Sequence, residues 1–438
     1  MHSVKISDLA CKGCVNCIKM CPTEAIRVIN GETSIIPELC IDCGECLRAC
    51  KRKALGIMED NWAEIKKLDQ SAVIADPCFF GQFSHYTSPE MLEERLSKDN
   101  IELLIDEMED AFDLSAYIAA QMINSAPVRN LPYISVYCPS VLRLIQTKFP
   151  EALPHVIPAF SPLELAAEMW RMRTGSSVPL TLLSPCPAKI TMVHTPEGRN
   201  GGRSEINFAT SVRTVARKIM ADGGDVSGRE HNGKKRSNRW LAWAIRDGEA
   251  RHVQAFSERK ITTLSVSGMR NTIDLLQELE LGRLRGLDFV ECRVCDTGCI
   301  GGVGTAESRF LAKLRVNAVE ANWDISERDR RRAEELYSMD FWAIKDPYKA
   351  RPRLPLSDNV ADAMVKLQQM KEIYNALPHI DCGACGRPSC QAMAEEIVRG
   401  NGCATDCIFK LREGIASLAR QITVLSESQP HTLKKKVK

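Results

Sequence analysis

Nineteen cysteines in 438 residues limit what this chain can fold into more than any other feature. Most fall in short runs: Cys11, Cys14, Cys17 and Cys21; Cys40, Cys43, Cys46 and Cys50; then Cys382, Cys385 and Cys390, with Cys403 and Cys407 beyond. Cysteines two or three residues apart are too tightly spaced for independent disulfides. The chain is also long enough to bury sizeable cores without covalent staples. Cys11 arrives before an apolar signal-peptide region would fit, and no run reaches membrane-spanning length. The cysteines therefore read as metal ligands in a reducing cytoplasm.

A formal net charge of +2 gives no case for a nucleic-acid or membrane-surface partner. Residues 1–58 form a cysteine-dense module, and residues 59–350 a longer, mixed segment. Its apolar runs SAVIA (71–75), YISVY (133–137), LTLLS (180–184) and ITTLSV (261–266) read as buried strands. Helical stretches at 88–96, 139–147 and 271–280 lie between them, which predicts α/β architecture with parallel sheets. The Gly-rich, basic segment 223–240 reads as a solvated loop. The proline cluster of 345–356 reads as a linker. Residues 351–410 then hold a helix capped by Ser357 and running to about Leu377, followed by a second cysteine module. In 411–438, Leu411, Ile415, Leu418, Ile422 and Leu425 follow a 4, 3, 4, 3 spacing. That is a heptad seam, to be covered by the chain's own surface or by a partner helix, including a candidate homodimer. The terminal LKKKVK reads as a frayed basic tail.

Cys11, Cys14, Cys17 and Cys21-Pro22 give C-x2-C-x2-C-x3-C-P, and Cys40, Cys43, Cys46 and Cys50 repeat it with Lys51 in place of proline. This resembles the two-cluster bacterial ferredoxins, in which the fourth cysteine of each run serves the other cluster. The resemblance implies one 4Fe-4S cluster on Cys11, Cys14, Cys17 and Cys50, and another on Cys40, Cys43, Cys46 and Cys21. Zinc in the same thiolates is the alternative. Lys51 is expected to alter a turn without removing a ligand. CGACGRPSC with the later CATDC resembles a small 4Fe-4S domain of electron-transfer proteins. It implies Cys382, Cys385, Cys390 and Cys407 as ligands, with Cys403 competing for the fourth place.

Four further cysteines lie far apart: Cys138 in YCPS, Cys186 in SPCPAK, and Cys295 with Cys299 in ECRVCDTGCIGG. With the flanking modules they resemble the iron-only (FeFe) hydrogenases over nearly the whole chain. The resemblance implies a multidomain α/β and α+β fold, with a ferredoxin-like two-cluster module, a two-lobed α/β hydrogenase domain and a small helical 4Fe-4S module. It also implies an H-cluster, a 4Fe-4S cube joined to a two-iron unit carrying CO and cyanide. Cys138, Cys186 and Cys295 would hold the cube, and Cys299 would complete it and bridge to the two-iron unit. Lys189 matches the family lysine that donates to a cyanide nitrogen. The glycines around Cys299 would let backbone crowd the cofactor. Ser161-Pro162 matches a family Ser-Pro step. The strand SAVIADPCF would bring Asp76, Pro77 or Cys78 close, with Cys78 equally readable as a core thiol.

The departures bear most on function. Fast family members carry a relay cysteine immediately before the first cube ligand, where this chain has Tyr137. A phenol, with a reference pKa of about 10 against about 8.5 for a thiol, is the poorer relay near neutral pH. The segment DLSAYIAAQM (113–122) lacks the relay glutamates. Met192 stands where another glutamate is usual, and Ser184 and Arg293 replace pocket methionines. Arg293 points either toward or away from the cofactor. Substitute relays through Cys292, Ser184 or Tyr137 stay open. The pattern resembles the sensory, low-turnover branch of the family: an oxidoreductase that interconverts H2 with protons and electrons slowly and signals to a protein partner. The alternatives are a catalytic ferredoxin-linked hydrogenase with another proton route, and a non-catalytic iron–sulfur carrier or assembly protein.

Overall fold

The computed structural model describes residues 1–7, 9–84, 87–127, 131–199, 202–222, 236–319, 322–351 and 355–428. They form two compact units. The larger takes in Met1–Lys5, Cys40–Arg48 and Leu55–Arg351; the smaller takes in Ile6–Leu39, Ala49–Ala54 and Pro352–Lys438.

The larger unit holds two parallel sheets. One orders its strands Ile101–Leu103, Ser71–Ala75, Leu180–Ser184, Phe208–Ser211. All residues of its two middle strands are buried, which is why SAVIA and LTLLS read as continuous apolar runs rather than alternating ones. The other sheet pairs Thr263–Ser267 and Tyr133–Ile134 on either side of Phe289–Arg293. YISVY forms a shorter strand than expected. Ser135 still donates its N–H to Val290 O, after which the chain turns into the helix Pro139–Lys148. The helix Ile105–Ser125, buried along much of its length, packs on Pro162–Thr174. Ser161 caps the latter by accepting the N–H of Glu164, with Pro162 at the first helical position.

The segment read as a solvated loop is corrected at its end. Residues 223–235 lie outside the described residues, but Arg239 and Trp240 are buried. Arg239 ion-pairs with Asp113, and Trp240 meets Phe80 edge-on. A paired guanidinium and an indole supply the driving force that the Gly-rich part lacks. The linker reading also shortens, because Tyr348 donates to Ala159 O at 3.1 Å and Arg351 pairs with Glu197 at 3.1 Å.

In the smaller unit, the hairpin Ile26–Ile29 with Glu32–Ile35 packs on the C-terminal cysteine module. Val28 N–H donates to Gly386 O at 2.9 Å, and Arg27 pairs with Glu396. Gly386 is required there: it has φ +77°, and a Cβ would lie 1.6 Å from Val28 O. The helix Val360–Ala376 is capped by Asn359, whose side chain accepts from Ala361 and Asp362 N–H, rather than by Ser357. The helix starts at Val360, so Ser357 stands two residues too early and takes the N–H of Asn359 instead. The helix Ile408–Glu427 has no buried residue, so among the described residues nothing covers its heptad seam. The basic tail from 429 onward lies outside the described residues.

Candidate functional site

The two N-terminal cysteine runs build the same local turn. Cys21 Sγ accepts the N–H of Ala25 and Cys50 Sγ that of Ala54, each at 3.2 Å. Glu24 and Lys53, three residues after each cysteine, both adopt positive φ. Lys51 therefore leaves the turn as it is where Pro22 stands in the first run, which corrects the expectation of a change.

In the C-terminal module Cys382, Cys385, Cys390 and Cys407 line one small cavity. Cys407 is buried against Leu377 and Met393. Cys403 is exposed, and its sulfur is engaged by Thr405 and Asp406. Arg387, 2% exposed, ties the module together by donating to Cys385 O and Asn401 O and pairing with Asp406.

The four distant cysteines are brought into one region of the larger unit. Cys138 and Cys186 each cap a helix whose first residue is proline, Pro139–Lys148 and Pro187–His194. The segment bearing Cys299 is fixed to the one bearing Cys186, with Gly304 N–H donating to Pro185 O at 2.7 Å. A Cβ at Gly302 or Gly304 would lie 2.4 or 2.9 Å from that same oxygen. These glycines serve chain-to-chain approach. Arg48 donates to Cys295 Sγ at 3.2 Å and to Gly301 O at 2.7 Å. Nothing in the sequence signalled this contact across the fold.

Burial is the main influence on these thiols. It pushes Cys186 up to about 12, with the neighbouring Cys295 adding to it, and it raises Cys299 and Cys295 despite Lys189 and Arg48 respectively. The thiols thus hold their protons until a metal displaces them. Among the described residues no three His, Cys, Asp or Glu side chains come close enough to grip one ion. The donor chemistry fits a cluster: soft sulfur ligands beside the cations Arg48, Lys189 and Arg293, which offset thiolate charge.

Beside Cys299 lies a closed polar group. Lys189, 1% exposed, places Nζ 3.8 Å from Cys299 Sγ, 2.5 Å from Asp76 Oδ2 and 3.4 Å from the centre of the Tyr137 ring. Tyr137 donates its hydroxyl to the same Asp76 oxygen at 2.8 Å, and Cys78 N–H donates to Oδ1 at 3.0 Å. Burial opposes ionisation of Asp76, but the ammonium of Lys189 prevails and holds the carboxyl below the usual range. Burial likewise opposes the charge on Lys189, and Asp76 keeps it protonated above its ordinary value. Burial, reinforced by Asp76, raises the Tyr137 phenol well above 10. Cys78 is fully buried, and burial raises its thiol too.

Arg293 lies over the other part of this group, 4.6 Å from the Tyr137 ring centre, and pairs with Glu249 at 2.5 Å. Ser135 donates to Glu249 at 2.7 Å. Glu291, fully buried, accepts the N–H groups of Asp247 and Ala250; burial, partly offset by Arg293, pushes its pKa up to about 7. Glu249 and Glu291 were missed from sequence. An acid inside the apolar run FVECR was the available signal. Ser184 spends its hydroxyl locally on Cys186 O, Met192 accepts from Ser161, and Cys292 is a buried thiol raised by that burial.

Comparison with known proteins gives three family matches. Residues 88–303 match the family described as iron only hydrogenase large subunit, C-terminal domain; residues 3–51 match a 4Fe-4S dicluster domain; residues 377–409 match an Fe-S cluster family. A variant of the [FeFe]-hydrogenase HydA1 from Chlamydomonas reinhardtii superposes with TM-score 0.50 at 12% identity, over 66% of this chain and 98% of its own. A structure of HydA(deltaEFG) gives 0.48 at 12% identity, over 67% and 97%. At such identity the first likeness speaks to the fold. A component of the ion-translocating oxidoreductase complex of Methanosarcina acetivorans is 40% identical over 50 residues, 11% of this chain and 19% of its own. The component of the same description from Rhodobacter capsulatus is 40% identical over 55 residues, 13% and 29%. The chain thus spans less than a third of the length of these curated relatives.

Proposed function

Given that this chain belongs to the iron-only hydrogenase-like family, with an N-terminal ferredoxin module and a C-terminal iron–sulfur module, we propose that it is a slow, hydrogen- or redox-sensing member. Cys138, Cys186, Cys295 and Cys299 would hold the cube of an H-cluster, with two 4Fe-4S clusters in the N-terminal module. A further cluster would sit on Cys382, Cys385, Cys390 and Cys407. When bound, the two-iron unit supplies the centre at which H2 is split or formed.

What this chain's own residues do there supports low turnover. The observation that carries the reading is the bond from Tyr137 hydroxyl to Asp76 Oδ2, at the position where fast members carry a relay thiol. The phenol's proton is committed to a carboxylate that also holds Lys189. Arg293, 4.6 Å from the centre of the same ring, does not deprotonate in proteins. None of Tyr137, Asp76, Lys189 and Arg293 exchanges a proton readily near neutral pH, which supports slow proton delivery beside Cys299. The output then passes through a partner protein. Among the described residues no helix is long and apolar enough to cross a membrane.

One specific observation favours a second reading, an iron–sulfur carrier that holds the cube alone. The Lys189 ammonium already has a buried carboxylate partner, so its charge is not free for an anionic ligand. Loading the purified protein with a diiron precursor and recording infrared spectra separates the two. Bands of CO and cyanide with slow hydrogen turnover support the sensor; absent bands leave the carrier; turnover matching fast hydrogenases overturns both. Tyr137→Cys should raise turnover only modestly, because the remaining relay residues are also missing.

A further inference from the structure

The helix Ile408–Glu427 exposes Ile408, Leu411, Ile415, Leu418, Ile422 and Leu425, each between 40% and 70% accessible. Their spacing of 3, 4, 3, 4, 3 puts isoleucine at every a position and leucine at every d position. β-Branched residues at a with leucine at d match the packing angles of a parallel two-stranded coil, and of no other common coiled-coil state as well. We propose that this helix pairs with the same helix of a second copy of the chain, parallel and in register.

The flanks point to the same occupant. Positions 412, 414, 419, 421, 426 and 428, which border such a seam, carry a single charge, Arg412. Its counterpart across a parallel pair is position 407, a cysteine, so no like charges oppose one another. A partner of another kind would be selected by charged borders, and these are lacking. The helix charges Lys410 and Glu413 pair with each other on the outer side, at 2.7 Å. No polar residue interrupts the six apolar layers. A helix of 20 residues is marginal alone, but this one is anchored at its start by buried Cys407.

That anchor gives the pairing its consequence. Cys407 lines the four-cysteine cavity and immediately precedes the first layer of the seam. In a parallel pair with axes about 8–10 Å apart, the C-terminal cavities of the two copies lie side by side at one end of the coil. An antiparallel pair would hold them a helix length apart, about 30 Å. The inference is independent of whether the central site takes a two-iron unit.

The test is sedimentation of the full chain with its clusters, in dilution series. The native chain should be dimeric and dissociate on dilution, and Leu418→Asp should be monomeric with unchanged iron content. Ile415→Lys and Ile415→Glu should each be monomeric alone and dimeric when mixed, because position 415 faces itself only in a parallel coil; antiparallel packing sets it against 418. A monomeric native chain, a dimer that survives Leu418→Asp, or a mixture that stays monomeric overturns the proposal.

Discussion

Replacing Asp76 with alanine probes the closed polar group beside Cys299 most directly. The carboxylate holds a lysine ammonium at 2.5 Å, a phenol hydroxyl at 2.8 Å and a backbone N–H at 3.0 Å, and it is fully buried. Removing it leaves a charge with almost no water. Breaking a buried ion pair from one side costs about 3–5 kcal/mol, and the orphaned hydroxyl and N–H add to that side of the balance. Lys189→Met alone should cost less, because Asp76 keeps the hydroxyl and N–H. In the double variant Asp76→Ala with Lys189→Met no charge is stranded, so it should be more stable than Asp76→Ala alone by about 2 kcal/mol. Scanning calorimetry under anaerobic conditions reads this as a midpoint fall of about 6–20 °C for Asp76→Ala, taking about 3–5 kcal/mol at about 2–4 °C per kcal/mol for a large domain. Partial recovery is expected in the double variant. An Asp76→Ala midpoint within about 2 °C of the native one, or a double variant no better than the single, would refute the buried-pair account.

Glu291 predicts a pH dependence. Its folded pKa of about 7 lies above the unfolded value near 4.3, so it binds more protons in the folded chain between them. Its contribution is fully present below about pH 4.3 and is lost as pH rises through about 7. Glu291→Gln should flatten the decline in melting midpoint between pH 5 and pH 8; an unchanged slope counts against a strongly buried acid. In the C-terminal module, Cys407→Ser should lower iron content by about one cluster per chain while Cys403→Ser leaves it unchanged, since only the former faces the cavity. Equal losses from both would return Cys403 to the ligand set.

Much of the architecture was legible because burial on both faces writes itself as apolar runs. Ser71–Ala75 and Leu180–Ser184 are strands where the sequence indicates them. YISVY was harder: its hydrogen-bonding stops so that the chain can deliver Cys138 to a helix start, a tertiary demand that local pattern does not carry. The family resemblance placed Asp76, Pro77 or Cys78 close to the site, and Asp76 lies against Lys189 and Tyr137. That joint hold was not legible, because residues 76, 137 and 189 meet only once the sheet has formed. Arg293 could not be oriented from its neighbours. Its direction is fixed by Glu249, on a helix more than forty residues earlier. The family resemblance favoured Cys407 over Cys403 as the fourth ligand, and in the fold Cys407 is buried while Cys403 is exposed.

The carbonyl of Pro185, wedged against two glycines of the third cysteine segment, has a mechanical consequence. Cys186 and Cys299 are attached to opposite sides of one clamp without slack for a side chain between them. A displacement of either segment is therefore passed to the other through the backbone next to Cys186. Enlarging either glycine would push the two cysteine-bearing segments apart at this clamp.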